Sequence, residues 1–125
     1  MARVLCVDDD VQVLELKRTI LERAGHGVDV SSSVEEALKR LEEGSYDAVI
    51  TDWWFGQHDA LRVIQKAKAS AAMPVLVVSG FVAEALVSLG TGADIYLEKP
   101  VNAVELTSAL DKLIAEGKQR QKTAA

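Results

Sequence analysis

A chain of 125 residues has room for one compact domain and none for a core plus a separate effector domain. Its 49% hydrophobic and 26% charged residues exclude a disordered chain. The net charge of −5 argues against direct binding of nucleic acid, which needs clustered Lys and Arg to displace counterions.

The lone cysteine, Cys6, can form neither an internal disulfide nor a multi-cysteine metal site, and its place in an apolar run predicts a buried, inert thiol. No stretch is apolar and long enough to span a bilayer, and the first residues lack a secretion pattern. No membrane contact and a cytoplasmic location are the default expectations.

In chain order, five apolar runs alternate with amphipathic stretches. The runs Val4–Val7, Gly27–Val30, Ala48–Thr51, Pro74–Val78 and Ile95–Leu97 are near-continuous in Val, Ile and Leu, as in strands covered on both faces. The first helix is predicted after Asp10 as N-cap, with Val13, Leu16, Ile20 and Ala24 at helical spacing and Gly25 and Gly27 as its stop. The second opens on the capping-box pair Ser33 and Glu36 and turns Ala37, Leu38 and Leu41 inward. The third runs from about Asp59, as cap, through Leu61, Ile64 and Ala67. The fourth, from Val82 to about Leu89, is short and ends at Gly90-Thr91-Gly92. The last starts near Asn102, with Glu105 three residues on, and buries Leu106, Leu110 and Leu113. Lys118, Arg120 and Lys122 fall in a polar tail read as a solvated, frayed end, so one domain is expected over residues 1–117 and a tail over 118–125.

Strict β-α alternation with short connections implies right-handed crossovers and an α/β fold, a parallel sheet between helices. All carboxyl ends of such a sheet lie on one edge, where open α/β sheets bind ligands. Asp8 and Asp9 follow the first strand, Asp52 the third, Ser79 the fourth and Lys99 the fifth, so residues distant in sequence meet in one pocket. Each pair of carboxylates there repels by roughly 3 kcal/mol at about 5 Å and an effective dielectric near 20. A hard divalent ion with oxygen ligands, such as Mg²⁺, relieves that repulsion. Lys99 adds a point charge suited to phosphate, Ser79 a hydroxyl, and Gly80 an N–H that a ligand can approach closely. A metal, an anion site and a carboxylate nucleophile are the parts of phosphoryl transfer to Asp.

The string Val4-Leu5-Cys6-Val7-Asp8-Asp9, the run Ala48-Val49-Ile50-Thr51-Asp52, the pair Ser79-Gly80 and the pair Lys99-Pro100 resemble the receiver domains of two-component response regulators, from about Arg3 to Leu113. The resemblance implies a flavodoxin-like, doubly wound five-stranded parallel sheet of order 2-1-3-4-5 with helices on both faces. It implies a phosphohistidine on a sensor histidine kinase as donor and Asp52 as phosphoacceptor. Asp9 would bind Mg²⁺ with Asp52, Asp8 would help through water, and the Trp54 backbone carbonyl would complete the protein ligands. Ser79, Lys99 and Gly80 would serve the phosphoryl group, and Ser79 with Tyr96 would form the switch that biases a surface near the last strand toward a downstream partner. Such a chain catalyses its own phosphorylation and dephosphorylation and turns over no separate substrate. A homodimer through the last strand and adjacent helices is an arrangement the resemblance allows.

Two departures stand out. The segment Trp53-Trp54-Phe55-Gly56-Gln57-His58-Asp59 has Gly56 where the family usually has proline, which should loosen that loop, and Ser79 to Lys99 is short for the family, which implies a clipped loop or fourth helix. Trp54 and Phe81 flank the pocket and are read either as screens that keep water from the aspartyl phosphate or as packing residues. His26 and His58 are assigned to neither metal nor proton transfer.

Three other functions fit parts of the pattern. A receiver-like module that is never phosphorylated fits the altered loop after Asp52. A dehalogenase-type phosphatase fits Asp8-x-Asp10, although such chains generally carry more residues for substrate selection. An FMN carrier fits least, because carboxylates occupy the loop where a phosphate cradle should be.

Overall fold

The computed structural model describes residues 2–52, 54–55, 58–71, 73–79, 94–98 and 102–123. Five strands, β1 (Arg3–Val7), β2 (Gly27–Ser31), β3 (Ala48–Thr51), β6 (Val75–Ser79) and β7 (Ile95–Glu98), pair in parallel in the order β2-β1-β3-β6-β7. Numbered within that sheet alone, the order is 2-1-3-4-5. A separate antiparallel ladder joins β4 (Trp54–Phe55) to β5 (His58–Asp59).

Side chains alternate across a strand, so each central strand feeds two cores. Leu5, Val7, Val49, Val75 and Val77 face α2 (Val34–Glu43) and α3 (Leu61–Ala71), meeting Val34, Ala37, Leu41, Val63, Ile64 and Ala67. Val4, Cys6, Ala48, Ile50, Leu76 and Val78 face α1 (Val11–Arg23) and α4 (Ala103–Thr123), meeting Leu14, Leu21, Leu106, Leu110 and Leu113. Helices on both faces explain why these strands read as unbroken apolar runs. Cys6 is fully buried, as expected.

The helix starts follow local chemistry. Asp10 accepts from the N–H groups of Gln12 and Val13, Ser33 from Glu36, and Asn102 from Glu105 at 2.8 Å. The end of α1 is a Schellman motif: Gly25, at φ 97°, donates to the Glu22 carbonyl, and His26 donates to that of Leu21.

Four expectations change. The inward row of α1 is Leu14, Lys17 and Leu21, while Leu16 is 62% exposed. Val13 and Ile20 lie half-buried beside that row; a lysine within it hid the true face. Asp59 belongs to the short ladder, and α3 begins at Leu61, with Ala60 supplying the carbonyl for its first bond. Within the segment read as a loop, Trp54–Phe55 and His58–Asp59 pair as strands, while Gly56 lies outside the described residues. The backbone of α4 stays helical to Thr123, through the residues read as a frayed end. The helix expected from Val82 to Leu89 lies outside the described residues. Among the described residues, no helix is long and apolar enough to cross a membrane.

Candidate functional site

The sheet order reverses between β1 and β3: the chain leaves β1 for β2 on one side and reaches β3 on the other. At such a switch point the helices diverge and leave a crevice at the carboxyl ends of the strands. Val7 pairs with Thr51 at the end of this ladder, and Asp52 then donates its N–H to the Val7 carbonyl at 3.0 Å. The Thr51 hydroxyl donates to the Asp52 carbonyl at 2.8 Å, fixing the chain as it leaves β3. Asp8 leaves β1 donating its N–H to Ser31 at 3.2 Å.

Carboxylate oxygens of Asp8, Asp9 and Asp52 all lie within 4.8 Å of one another. Among the described residues this is the one group of three His, Cys, Asp or Glu side chains placed to hold an ion. Asp8 is 1% exposed and Asp52 7%, while Asp9 is open to solvent. Buried carboxylates at this spacing repel strongly unless positive charge joins them. Oxygens on one octahedral Mg²⁺ stand roughly 3–4 Å apart, so an all-oxygen donor set this close fits a hard divalent cation after small side-chain adjustments.

The three acids are not equivalent. Asp8 Oδ1 accepts the Asp10 N–H at 3.0 Å, and its Oδ2 lies 3.5 Å from Lys17 Nζ, a lysine that is itself buried. Asp10 is occupied as the cap of α1. Asp9 is the acid most open to an incoming ion, and Asp52 is the one seated at the strand end.

Ser79 ends β6, its backbone in register with Glu98, and Tyr96 pairs with Val77 on β7. Tyr96 is half-buried and packs against the core under α2 and α3. The Trp54 backbone sits in the short ladder, in register with Asp59. Lys99, Gly80 and Phe81 lie outside the described residues. His26 has a structural setting: Nδ1 accepts the Ala2 N–H at 3.3 Å and Nε2 lies 3.4 Å from Asp111.

Lys17 is the neighbour of the site that sequence reasoning missed. The signal was present, because Leu14, Lys17 and Leu21 sit three and four residues apart, the spacing of one helix face.

This arrangement agrees with what known proteins show. Residues 4–111 match the family model of the response regulator receiver domain. The transcriptional regulatory protein ZraR of Escherichia coli K12 is 31% identical over 115 residues, covering 90% of this chain and 26% of ZraR. A receiver domain protein (CheY-like) from Methanospirillum hungatei superposes with a TM-score of 0.88 at 26% identity, covering 96% of this chain and 98% of that one. The response regulator TrrA from Thermotoga maritima, solved in complex with Mg²⁺–BeF, gives a TM-score of 0.82 at 29% identity, covering 90% and 99%. The chain spans about a quarter to a half of the length of the curated relatives it matches. With the family model spanning both acidic strand ends and nearly all of the parallel sheet, the chain belongs to the response regulator receiver domain family.

Proposed function

We propose that Asp52 accepts a phosphoryl group from the phosphohistidine of a sensor histidine kinase in the cytoplasm. The observation that carries this reading is the meeting of Asp8, Asp9 and Asp52, from the ends of β1 and β3, at the switch point of the sheet. An Asp52 carboxylate oxygen attacks phosphorus, the O–P bond forms as the histidine N–P bond breaks, and the freed imidazole takes up a proton. Hydrolysis later returns inorganic phosphate and the Asp52 carboxylate.

Asp9, Asp52 and the Trp54 carbonyl would hold Mg²⁺, with Asp8 acting through water; that TrrA was solved in complex with Mg²⁺–BeF supports the choice of ion. When bound, the ion supplies positive charge that offsets the phosphoryl oxygens. Ser79, Lys99 and the Gly80 N–H contact those oxygens. Ser79 and Tyr96 form the switch, and the surface around β7 and its neighbouring helices, which could also pair two copies, passes the state to a downstream protein. The acidic chain itself does not contact nucleic acid. Trp54 and Phe81 shield the phosphoaspartate from water, so W54N/F81E should lose phosphate faster than wild type; equal lifetimes would refute the shielding role.

The deciding experiment incubates the 125-residue chain with Mg²⁺ and a small phosphodonor and reads the intact mass. One phosphoryl adduct is expected on wild type and none on D52N. No adduct on wild type would leave an interaction module that is never phosphorylated, and labelling lost in D8N but kept in D52N would point to dehalogenase-type chemistry.

A further inference from the structure

Lys17 sits in the inward row of α1 between Leu14 and Leu21, with only 9% of its side chain exposed. A lysine is almost never found so deeply covered without a partner, and here its ammonium lies 3.5 Å from Oδ2 of Asp8, the most buried acid of the pocket. Asp8 leaves β1 on the face that carries Val4 and Cys6, the face α1 covers, so strand and helix aim the two side chains at each other. A cation of the protein's own thus stands against the wall of a site built for a divalent ion.

Two consequences follow from the sign of that charge. Without metal, Lys17 offsets part of the repulsion within the acidic trio and stabilises the fold. With metal, the same ammonium repels the incoming cation and holds one Asp8 oxygen away from it. We propose that Lys17 is a positioning residue for the metal site, a resident counter-cation that stabilises the metal-free pocket and lowers its affinity for divalent ions. The inference rests on the reading of Asp8, Asp9 and Asp52 as a Mg²⁺ site and adds the residue that sets how tightly that site binds.

The test is Mg²⁺ titration calorimetry on the whole chain, with thermal unfolding in EDTA and in saturating Mg²⁺, for wild type, K17M and K17R. K17M keeps the length and apolar stem of the side chain and removes its charge. It should bind Mg²⁺ about five- to tenfold more tightly than wild type, melt at lower temperature in EDTA, and recover most of that loss in Mg²⁺. K17R, which keeps the charge, should hold near wild-type affinity. Folded K17M with unchanged or weaker affinity overturns the inference. If K17M does not fold in EDTA, refolding in Mg²⁺ is the expected outcome, and no rescue at saturating Mg²⁺ counts against it. Absence of Mg²⁺ binding by wild type would instead overturn the metal-site reading, so the two failures are told apart.

Discussion

Asp8 and Asp52 stand side by side on neighbouring parallel strands, one step past the last paired residues, Val7 and Thr51. Adjacent strands lie about 4.8 Å apart, so the sheet itself forces two nearly buried carboxylates together, at 1% and 7% exposure. A divalent ion bound at the proposed site would relieve this repulsion. D52N should therefore stabilise the metal-free protein by about 1–2 kcal/mol, less than the bare Coulomb figure because Lys17, the further partners of Asp8 and Asp52, and solvent already offset the repulsion. Urea unfolding in EDTA measures it. A D52N protein less stable than wild type would mean that Asp52 makes a net favourable contact in the metal-free fold.

At the edge strand β2, Asp29 Oδ2 accepts from the Tyr46 hydroxyl at 2.7 Å and from Arg3 at 2.9 Å, with Arg40 3.8 Å away. The Tyr46 hydrogen bond, then Arg3, hold the Asp29 carboxyl below its ordinary range, while burial and then Asp29 push the Tyr46 phenol up. The Asp29 contribution to stability is complete above its unfolded value near ~3.9 and is lost as pH falls through its lowered folded value. The Tyr46 contribution is complete below ~10 and is lost as pH rises through its raised one. A double-mutant cycle of D29N and Y46F should give a coupling of about 1 kcal/mol at pH 7 that fades in acid below that window and in base above it. A coupling independent of pH would show that ionisation of the pair is irrelevant to it.

How much of this could be read from the sequence depends on how local the cause is. The strands were legible because a parallel strand buried on both faces must be apolar throughout, and the caps at Asp10, Ser33 and Asn102 because a cap bonds only two or three residues ahead. The meeting of Asp8, Asp9 and Asp52 followed from topology alone, since every strand of a parallel sheet ends on the same edge. Lys17 was missed because periodicity counts apolar residues, and a charged residue within the inward row sends the count to the neighbouring row through Leu16. The β4–β5 ladder was missed because Gly56 was weighed only as a lost proline. In sequence, Gly-Gln between two short runs is also a hairpin signal, because glycine favours the first position of a II′ turn.

Cys6 lies on β1 in the core between the sheet and the α1–α4 layer, fully buried, and burial pushes its thiol up to about 12. Thiolate is the reactive form, so the folded protein should resist alkylation at pH 8 and react only through unfolding. Labelling in a urea series should track the unfolding transition seen by circular dichroism. Rapid labelling under native conditions would mean that β1 opens locally, beside Asp8.

Asp94 joins α3 to the end of the sheet that lies opposite the acidic pocket. Its Oδ2 accepts the Val75 N–H at 2.8 Å and pairs with Lys68, and its own N–H donates to the Val75 carbonyl at 2.9 Å. Val75 is fully buried, so its N–H has no access to water if that acceptor is removed. D94A should cost about 2–3 kcal/mol, combining an unsatisfied buried donor with a half-covered Lys68 left without its carboxylate. D94N keeps an acceptor for Val75 and loses only the ion pair, so it should cost about half as much. Because Asp94 precedes β7 directly, D94A should also raise hydrogen exchange at Ile95 and Tyr96 more than at β1 residues such as Leu5. Equal costs for D94A and D94N would show that the ion pair with Lys68, and not the bond to Val75, is what fixes β7 to the sheet.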